Sequence, residues 1–440
     1  MKRSWITFAF LVAVLSVSAQ KKWTLQECLD YARQNSITLQ KARLQQQQAD
    51  EEVRSAKSAL LPSLSASTNQ SVGYRPWQDD GVTTVTNGQV NAKVDKVYYN
   101  GSYGLNAQWT VWNGNRNRNN IRLSEVAQQK ADYDYLASEK TIEERINQLY
   151  VQLLYLKETI KVSEANLETA RKNEDRGREM VEVGKMSKAD LAQLTAQRAS
   201  DEYSVVEAQS QLASYKLQLK QLLELTNNEP FDIAESATID DKALETIPTL
   251  NDVYEKALNG RPEIQSAKLN IQSSDINLKI AKAGWLPSLN LSGGISTGHN
   301  SLSKLAWGNQ MKSNFDAMAG LTLSVPIFDQ RQTKTAVNRA KIQQQQAQLD
   351  LLDQQKQLYQ TIETFWLDAT TNQQKYRTAR VTLESEQQSY DLLQEQFRLG
   401  LKNIVELMTG KDRLLAAQQN LLQSKYMTML NIEMLNMYQH

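Results

Sequence analysis

Leu61-Pro62-Ser63-Leu64-Ser65-Ala66-Ser67-Thr68-Asn69-Gln70-Ser71-Val72-Gly73-Tyr74 is the stretch that decides the fold. After Pro62, Leu64, Ala66, Thr68, Gln70, Val72 and Tyr74 alternate with Ser63, Ser65, Ser67, Asn69, Ser71 and Gly73. Successive side chains of a strand point to opposite faces, so one face is largely apolar and the other small and polar. Alternation over about ten residues is the signature of a membrane β-strand with lipid outside and water inside. A soluble sandwich strand uses the same pattern. Three further segments carry it: Tyr103, Leu105, Ala107, Trp109 and Val111; Leu289, Leu291 and Ile295; and Leu321, Leu323, Val325 and Ile327. Tyr74, Trp77, Tyr98, Tyr99, Trp285 and Trp307 stand near the segment ends, where an interfacial aromatic belt is expected.

The Leu-Pro-Ser-Leu entry occurs twice because the chain is written twice. Thr24-Leu25, Ala32, Gln40, Ala42, Leu44, Gln47, Asp50, Ala56-Lys57 and Leu61 to Leu64 recur as Thr249-Leu250, Ala257, Gln265, Ala267, Leu269, Gln272, Asp275, Ala281-Lys282 and Leu286 to Leu289, at a constant offset of 225. Trp112 with Phe328 and Gly184 with Gly400 match at an offset of 216, so an indel of nine residues lies between Leu64 and Trp112. Exposed loops tolerate insertions, which predicts a longer polar loop at 75–97 than at 299–316. A duplication of this length means one architectural unit used twice, around a pseudo-symmetry axis.

Of 440 residues only 17 are Gly and 7 Pro, and aromatics make up 7%. Scarce breakers among Ala, Leu, Gln, Lys and Glu predict long uninterrupted helices. A net charge of +1 leaves no basic footprint for nucleic acid. Lys2 and Arg3, the apolar run Trp5 to Val17, and Val17-Ser18-Ala19 read as a secretory signal peptide, residues 1–19. The apolar stretch is short for a membrane span. The single Cys28 excludes an intramolecular disulfide and is expected as a buried small residue of the first helix. No apolar run of transmembrane-helix length follows the signal, so the exported chain is periplasmic, secreted or an outer-membrane β-barrel.

Residues 24–59 read as one helix, with Thr24 and Glu27 in a capping-box pattern and Pro62 as its stop. A very long helix starts near Asn115, and Ile142, Ile146, Leu149, Leu153, Leu156 and Ile160 form a heptad stripe, hence a coiled-coil seam. In the second half Leu351, Leu358 and Phe365 run beside Leu352, Tyr359 and Trp366, two registers that imply neighbours on more than one side. The helix turns near Gly184, the residue expected where a helix ends in the left-handed conformation, and returns from Lys188 to Leu225. The expected organisation is a signal peptide (1–19), a first repeat (20–225; strands 63–74 and 101–112, helical hairpin 115–225), a linker (226–248) and a second repeat (249–440; strands 288–298 and 317–328, helical hairpin 331–437).

Four barrel strands cannot close around water, since small barrels start at about eight, and lipid does not tolerate an open edge. The strands must close by oligomerisation, and the helical rods would bundle on the same axis. The expected fold is mainly α with a transmembrane β-barrel continued by a coiled-coil tunnel.

These features resemble the TolC-like outer-membrane efflux and secretion proteins over essentially the whole mature chain. The duplication and the Leu-Pro-Ser-Leu entries carry the resemblance, together with the strand exits Val111-Trp112-Asn113-Gly114 and Val325-Pro326-Ile327-Phe328-Asp329. So do the turns Gly184-x-x-Ser187-x-x-Asp190-Leu191 and Phe397-x-x-Gly400-x-Lys402-x-Ile404-Val405-Glu406-Leu407. The resemblance implies a homotrimer with a twelve-stranded barrel in the outer membrane and a periplasmic tunnel. It implies a passive duct, opened when a periplasmic adaptor and an inner-membrane pump dock. Mapped onto this chain, Val183, Gly184, Lys185, Leu399, Gly400 and Leu401 are the docking tips, and Asp190, Phe397, Lys402 and Glu406 fall at the periplasmic gate. The chain departs from the family pattern at five points. Phe397 lacks a Tyr hydroxyl, Lys402 replaces Arg and loses bidentate geometry, Thr409 stands where an acidic lumen ring can occur, Gln330 replaces a Gly, and the first strand exit lacks the Pro; little functional effect is expected of the last two.

No phosphate-cradling loop, zinc spacing or nucleophile elbow occurs, and His299 and His440 are isolated. No enzyme activity, metal or cofactor is expected; the partners expected are further copies, adaptor, pump and lipid. The alternative reading is an exported coiled-coil scaffold without a pore, which leaves the paired alternating strands unexplained.

Overall fold

The computed structural model describes residues 22–77, 95–226, 231–235 and 242–439. The segment expected as a signal peptide, most of the first loop, parts of the expected linker and His440 lie outside them. In chain order the elements are β1 (Lys22–Trp23), α1 (Leu25–Asn35), α2 (Ile37–Ser58), β2 (Ser63–Tyr74), β3 (Val97–Trp112), α3 (Arg116–Glu182), α4 (Lys188–Leu222) and β4 (Asp232–Ile233). They continue as α5 (Leu250–Gly260), α6 (Pro262–Lys282), a 3-10 turn (Ala283–Trp285), β5 (Ser288–Asn300), α7 (Trp307–Ser313), β6 (Asp316–Ser324), α8 (Gln332–Arg398) and α9 (Ile404–Gln439). No described helix is long and apolar enough to cross a membrane.

The first helix starts as its sequence specifies. Thr24 Oγ1 accepts the Glu27 N–H (3.2 Å) and Glu27 Oε2 accepts the Thr24 N–H (2.9 Å), a complete capping box. The single helix expected over 24–59 is instead two, broken at Ser36 (φ −58°, ψ 122°). The second half breaks at the equivalent Arg261 (φ −68°, ψ 128°). There Pro262 is the cause, because it disfavours helical geometry in the residue before it and suits the first helical position. Ser36 adopts the same geometry without a proline and is buried, so packing holds that break.

The chain forms two compact units, and neither is one sequence repeat. One comprises Met1–Arg43, Tyr135–Ile264 and Gln355–His440; the other comprises Leu44–Asp134 and Gln265–Gln354. Each draws on both halves of the duplication.

The second unit holds an antiparallel sheet of order β2-β3-β5-β6. The register pairs Leu64 with Ala107, Leu105 with Ile295, and Leu291 with Leu321. A bulge shifts the β3–β5 register between Thr110 and Trp112. Several ends differ from the sequence reading. β3 begins at Val97 rather than 101 and β5 runs to Asn300. β6 stops at Ser324, before Pro326, which has no N–H to give a ladder, so Val325 and Ile327 lie beyond the strand. The polar connection at 299–316 contains α7.

Both strand exits turn into a helix by two left-handed residues: Gly114 and Asn115 (φ 65° each), then Gln330 (52°) and Arg331 (68°). Gln330 therefore carries a conformation that costs a non-glycine about 1–2 kcal/mol.

In the first unit the heptad residues Ile142, Ile146, Leu149, Leu153 and Leu156 are all buried. The first four share a core with Cys28, Ala32, Leu219, Leu422 and Tyr426. β1 and β4 form a short parallel pair. Asp232 there is held by Lys157 and Lys216 (Nζ to carboxylate 2.9 Å each), and Tyr150 donates its hydroxyl to the Ala234 carbonyl (2.7 Å). Burial raises the Asp232 carboxyl, but hydrogen bonds and charge from Lys216 and Lys157 outweigh it and hold the group below its ordinary 3.8. Such a carboxylate contributes stability above its unfolded value, lost as pH falls through the folded one. Asp232→Asn is expected to destabilise the protein at pH 7 by about 1.5–3 kcal/mol, the scale of hydrogen bonds to charged groups. The gap to the wild type should close as pH falls below 3.8. Thermal unfolding in detergent at pH 7 and at pH 3 checks both.

Candidate functional site

Two surfaces carry the chemistry, the sheet and the helix tips. The register gathers Leu64, Leu105, Trp109, Leu291, Ile295, Leu321 and Leu323 on one face. All are exposed, a contiguous apolar patch of the kind that marks an interaction or membrane surface. The opposite face presents Ser65, Ser67, Asn106, Gln108, Ser292 and Thr322.

The tips are built twice by the same local code. α3 ends at Gly184 (φ 74°) and α8 at Gly400 (φ 77°). In the first, Gly184 N–H donates to Val181 O (3.0 Å) and Lys185 N–H to Met180 O (2.8 Å); in the second, Gly400 N–H donates to Phe397 O (3.0 Å) and Leu401 N–H to Gln396 O (2.9 Å). These are Schellman turns, in which the left-handed residue closes the helix on its last carbonyls. Each following helix is capped three residues after the glycine. Ser187 Oγ accepts the Asp190 N–H (3.0 Å) and donates to Asp190 Oδ2 (2.8 Å). Asn403 Oδ1 accepts the Glu406 N–H (2.9 Å), and Glu406 Oε2 accepts the Asn403 N–H (3.2 Å).

Asp190 and Glu406 are thus equivalent capping residues, a role not read from the sequence although the Ser-x-x-Asp and Asn-x-x-Glu spacings signal it. Lys402 Nζ reaches Glu406 Oε1 (2.5 Å). Its hydrogen bond, with that of the Asn403 backbone, holds the Glu406 carboxyl below the usual range. Within one chain the hydrogen bonds of Asp190 run to Ser187 and not to Lys402 or Glu406. Thr409 bonds its own helix at Val405 O (2.8 Å). Phe397 is half-buried against the cluster of Leu194, Tyr390, Ile404, Leu407 and Leu414. Val183 (67% exposed), Leu399 (62%) and Leu401 (71%) leave an apolar knob at the turns.

A buried pair was missed. Lys411 on α9 and Asp201 on α4 form an ion pair with side chains 3% and 7% exposed, and Gln197 Nε2 adds a hydrogen bond to Asp201 (3.0 Å). No group of metal-ligating side chains occurs among the described residues.

The described residues thus carry an antiparallel sheet with one apolar and one small polar face, and two long helical hairpins with capped turns. The family described as outer membrane efflux protein matches residues 28–224 and 253–433, one segment in each half. The chain belongs to that family and is an outer-membrane channel protein. It is 22% identical to the outer membrane efflux protein BepC of Brucella suis over 94% of this chain and 84% of the relative. It is 23% identical to outer membrane protein TolC of Vibrio cholerae over 96% and 92% of the two chains. The fold is shared with the crystal structure of VceC from Vibrio cholerae (TM-score 0.75, 17% identity, 94% and 96% covered).

An alanine Cβ at Gly184 or Gly400 would meet nothing within 4 Å, so only the backbone angle demands glycine. Gly184→Ala and Gly400→Ala are each expected to destabilise their turn by about 1–2 kcal/mol, and Asn at either position by less. Hydrogen exchange of the tip amides measures the loss.

Proposed function

We propose that three copies of this chain close their sheets into one twelve-stranded barrel, continued by a helical tunnel, to form a passive duct from periplasm to exterior. The observation that supports this best is the antiparallel sheet with two distinct faces and two edges, β2 and β6, that have no strand partner among the described residues. Three antiparallel steps separate the edges, so they run in opposite directions. β6 of one copy therefore meets β2 of the next antiparallel, and the alternation continues around the ring. Two copies would give eight strands, whose interior side chains fill; three leave a lumen lined by small polar residues. Leu367, Val381 and Leu392, exposed on α8 in a single chain, suit a neighbouring copy. A pore-less scaffold leaves the apolar sheet face without an occupant.

The same proposal includes the organisation into signal peptide 1–19, repeats 20–225 and 249–440, and linker 226–248. Val183, Gly184, Lys185, Leu399, Gly400 and Leu401 form the surface for a periplasmic adaptor, which couples the duct to an inner-membrane pump. Asp190, Lys402 and Glu406 close the tunnel end by contacts between copies, with Phe397 anchoring the inner hairpin through packing alone.

The detergent-corrected mass of protein extracted from outer membranes tests the assembly: a trimer is expected, and a water-soluble monomer or dimer would overturn it. Leu105→Lys, on the apolar face, is expected to cost about 2–4 kcal/mol near the bilayer midplane and to lose the trimer. Ser65→Lys, on the polar face, should keep the trimer and alter conductance. For the gate, Asp190→Ala with Glu406→Ala is expected to raise single-channel conductance in planar bilayers. Ser187→Ala, which removes the cap acceptor and keeps the carboxylate, should not. Unchanged conductance in the double variant sinks the gating role.

A further inference from the structure

The connection between β5 and β6 is built rather than loose. β6 starts at Asp316 opposite Ser296, so residues 297–300 of β5 pair with β3 on one side and have no strand on the other. The α7 segment takes that place. Asn314 Nδ2 donates to the Gly298 carbonyl (2.7 Å), and the Asn300 N–H donates to Oε1 of buried Gln310 (2.8 Å). Thr297, on the apolar face, donates its hydroxyl to the Met311 carbonyl (2.7 Å). The segment therefore folds back over the apolar face at the loop end of the sheet.

There Phe315 walls a groove of about 410 Å³ whose other sides include Ala66, Tyr103, Leu105 and Ile295. All four lie on the apolar face. Lys312, whose carbonyl accepts the Phe315 N–H (3.3 Å), begins one turn from that wall and is exposed, as is Lys304. Among the described residues, Arg75, Lys96, Lys304 and Lys312 stand at this end of the sheet against only Asp95 and Asp316, and Asp316 belongs to the polar face. An apolar groove beside long cationic side chains matches an amphiphile with acyl chains and an anionic head, because lysine stems can lie along apolar surface while their ammonium groups stay in the headgroup layer.

We propose that this groove holds an acyl chain of a phosphate-bearing outer-leaflet lipid, with Lys304 and Lys312 at its headgroup. The inference rests on the reading that the apolar face meets lipid. It is tested on the full chain, purified in neutral detergent and stripped of lipid. The protein is then incubated with a synthetic phosphorylated acyl lipid, its dephosphorylated counterpart, or inorganic phosphate, and native mass spectrometry counts bound lipids per assembly. The phosphorylated lipid is expected to be retained, and inorganic phosphate should not displace it. Lys304→Ser with Lys312→Ser should lower retention about tenfold. Ala66→Phe, which fills the groove, should abolish retention at unchanged assembly mass. Equal retention of both lipids, or of the phosphorylated lipid by wild type and both variants, would overturn the proposal; the latter is also the result if a second copy covers the groove. A wild type that fails to give the trimer mass would instead overturn the barrel.

Discussion

In hydrocarbon a backbone N–H or C=O without a partner costs several kcal/mol, and the rest of this structure depends on that constraint. It is the reason for proposing that the sheet edges pair between copies. β2 offers a twelve-residue edge and β6 a nine-residue edge, and neither has a strand partner among the described residues. It also explains why α7 exists. Where β6 has not yet begun, side chains of Asn314 and Gln310 take over the hydrogen bonds that a strand would have made to Gly298 and Asn300. The duplication follows from the same rule. Two hairpins make a strip with an even strand count, the kind that appends to its own copies with every neighbour antiparallel.

The strip also dictates how the helices are arranged. Each hairpin enters from a helix at the Leu-Pro-Ser-Leu corner and leaves through a turn of two left-handed residues into another helix. At those exits Asn113 and Asp329 cap the helices by accepting the N–H of Asn117 (3.1 Å) and Thr333 (2.7 Å). The compact units cross the sequence repeats because elements of the two halves pack together, as β3 with β5 and α4 with α9. Contact is made between halves, so neither half buries its own apolar surface alone, as expected of a repeated unit.

What was legible in the sequence is what solvent imposes on both faces of an element at once. Leu64 to Tyr74 alternate because a strand sends successive side chains to opposite faces, one largely apolar and one small and polar, and Ile142 to Leu156 keep heptad spacing because one stripe is buried. What was not legible depends on short range or on distant partners. α7 has seven residues, too few for periodicity to register. The break at Ser36 has no breaker residue. The alternation of Val325 and Ile327 outlasts the strand because a side-chain pattern does not report the N–H that Pro326 lacks. Lys411 reads as a solvated helix charge because its partner Asp201 lies 210 residues away. At the tips the glycines and their spacing were legible, whereas the double use of Asp190 and Glu406 was hidden by reading charge before capping geometry.

That double use bears on how a tip could hold closed and still yield. A contact meant to be broken by a docking partner should be exposed, since surface ion pairs contribute little and are readily exchanged for water or for new ligands. Lys402 and Glu406 are such a pair, on side chains already positioned by the cap. A contact meant to persist should be buried, because removing one partner strands an uncompensated charge. Asp201 and Lys411 fit that description, and they tie α4 to α9, one helix from each hairpin. The Asp201–Lys411 pair therefore joins the two hairpins of one chain, while beside the turns lie the half-exposed Lys402–Glu406 pair, the apolar cluster around Leu407 and the exposed Val183, Leu399 and Leu401. If the tips close the duct as proposed, movement that opens it would fall at the turns and at the boundaries between copies rather than at the seam within a chain.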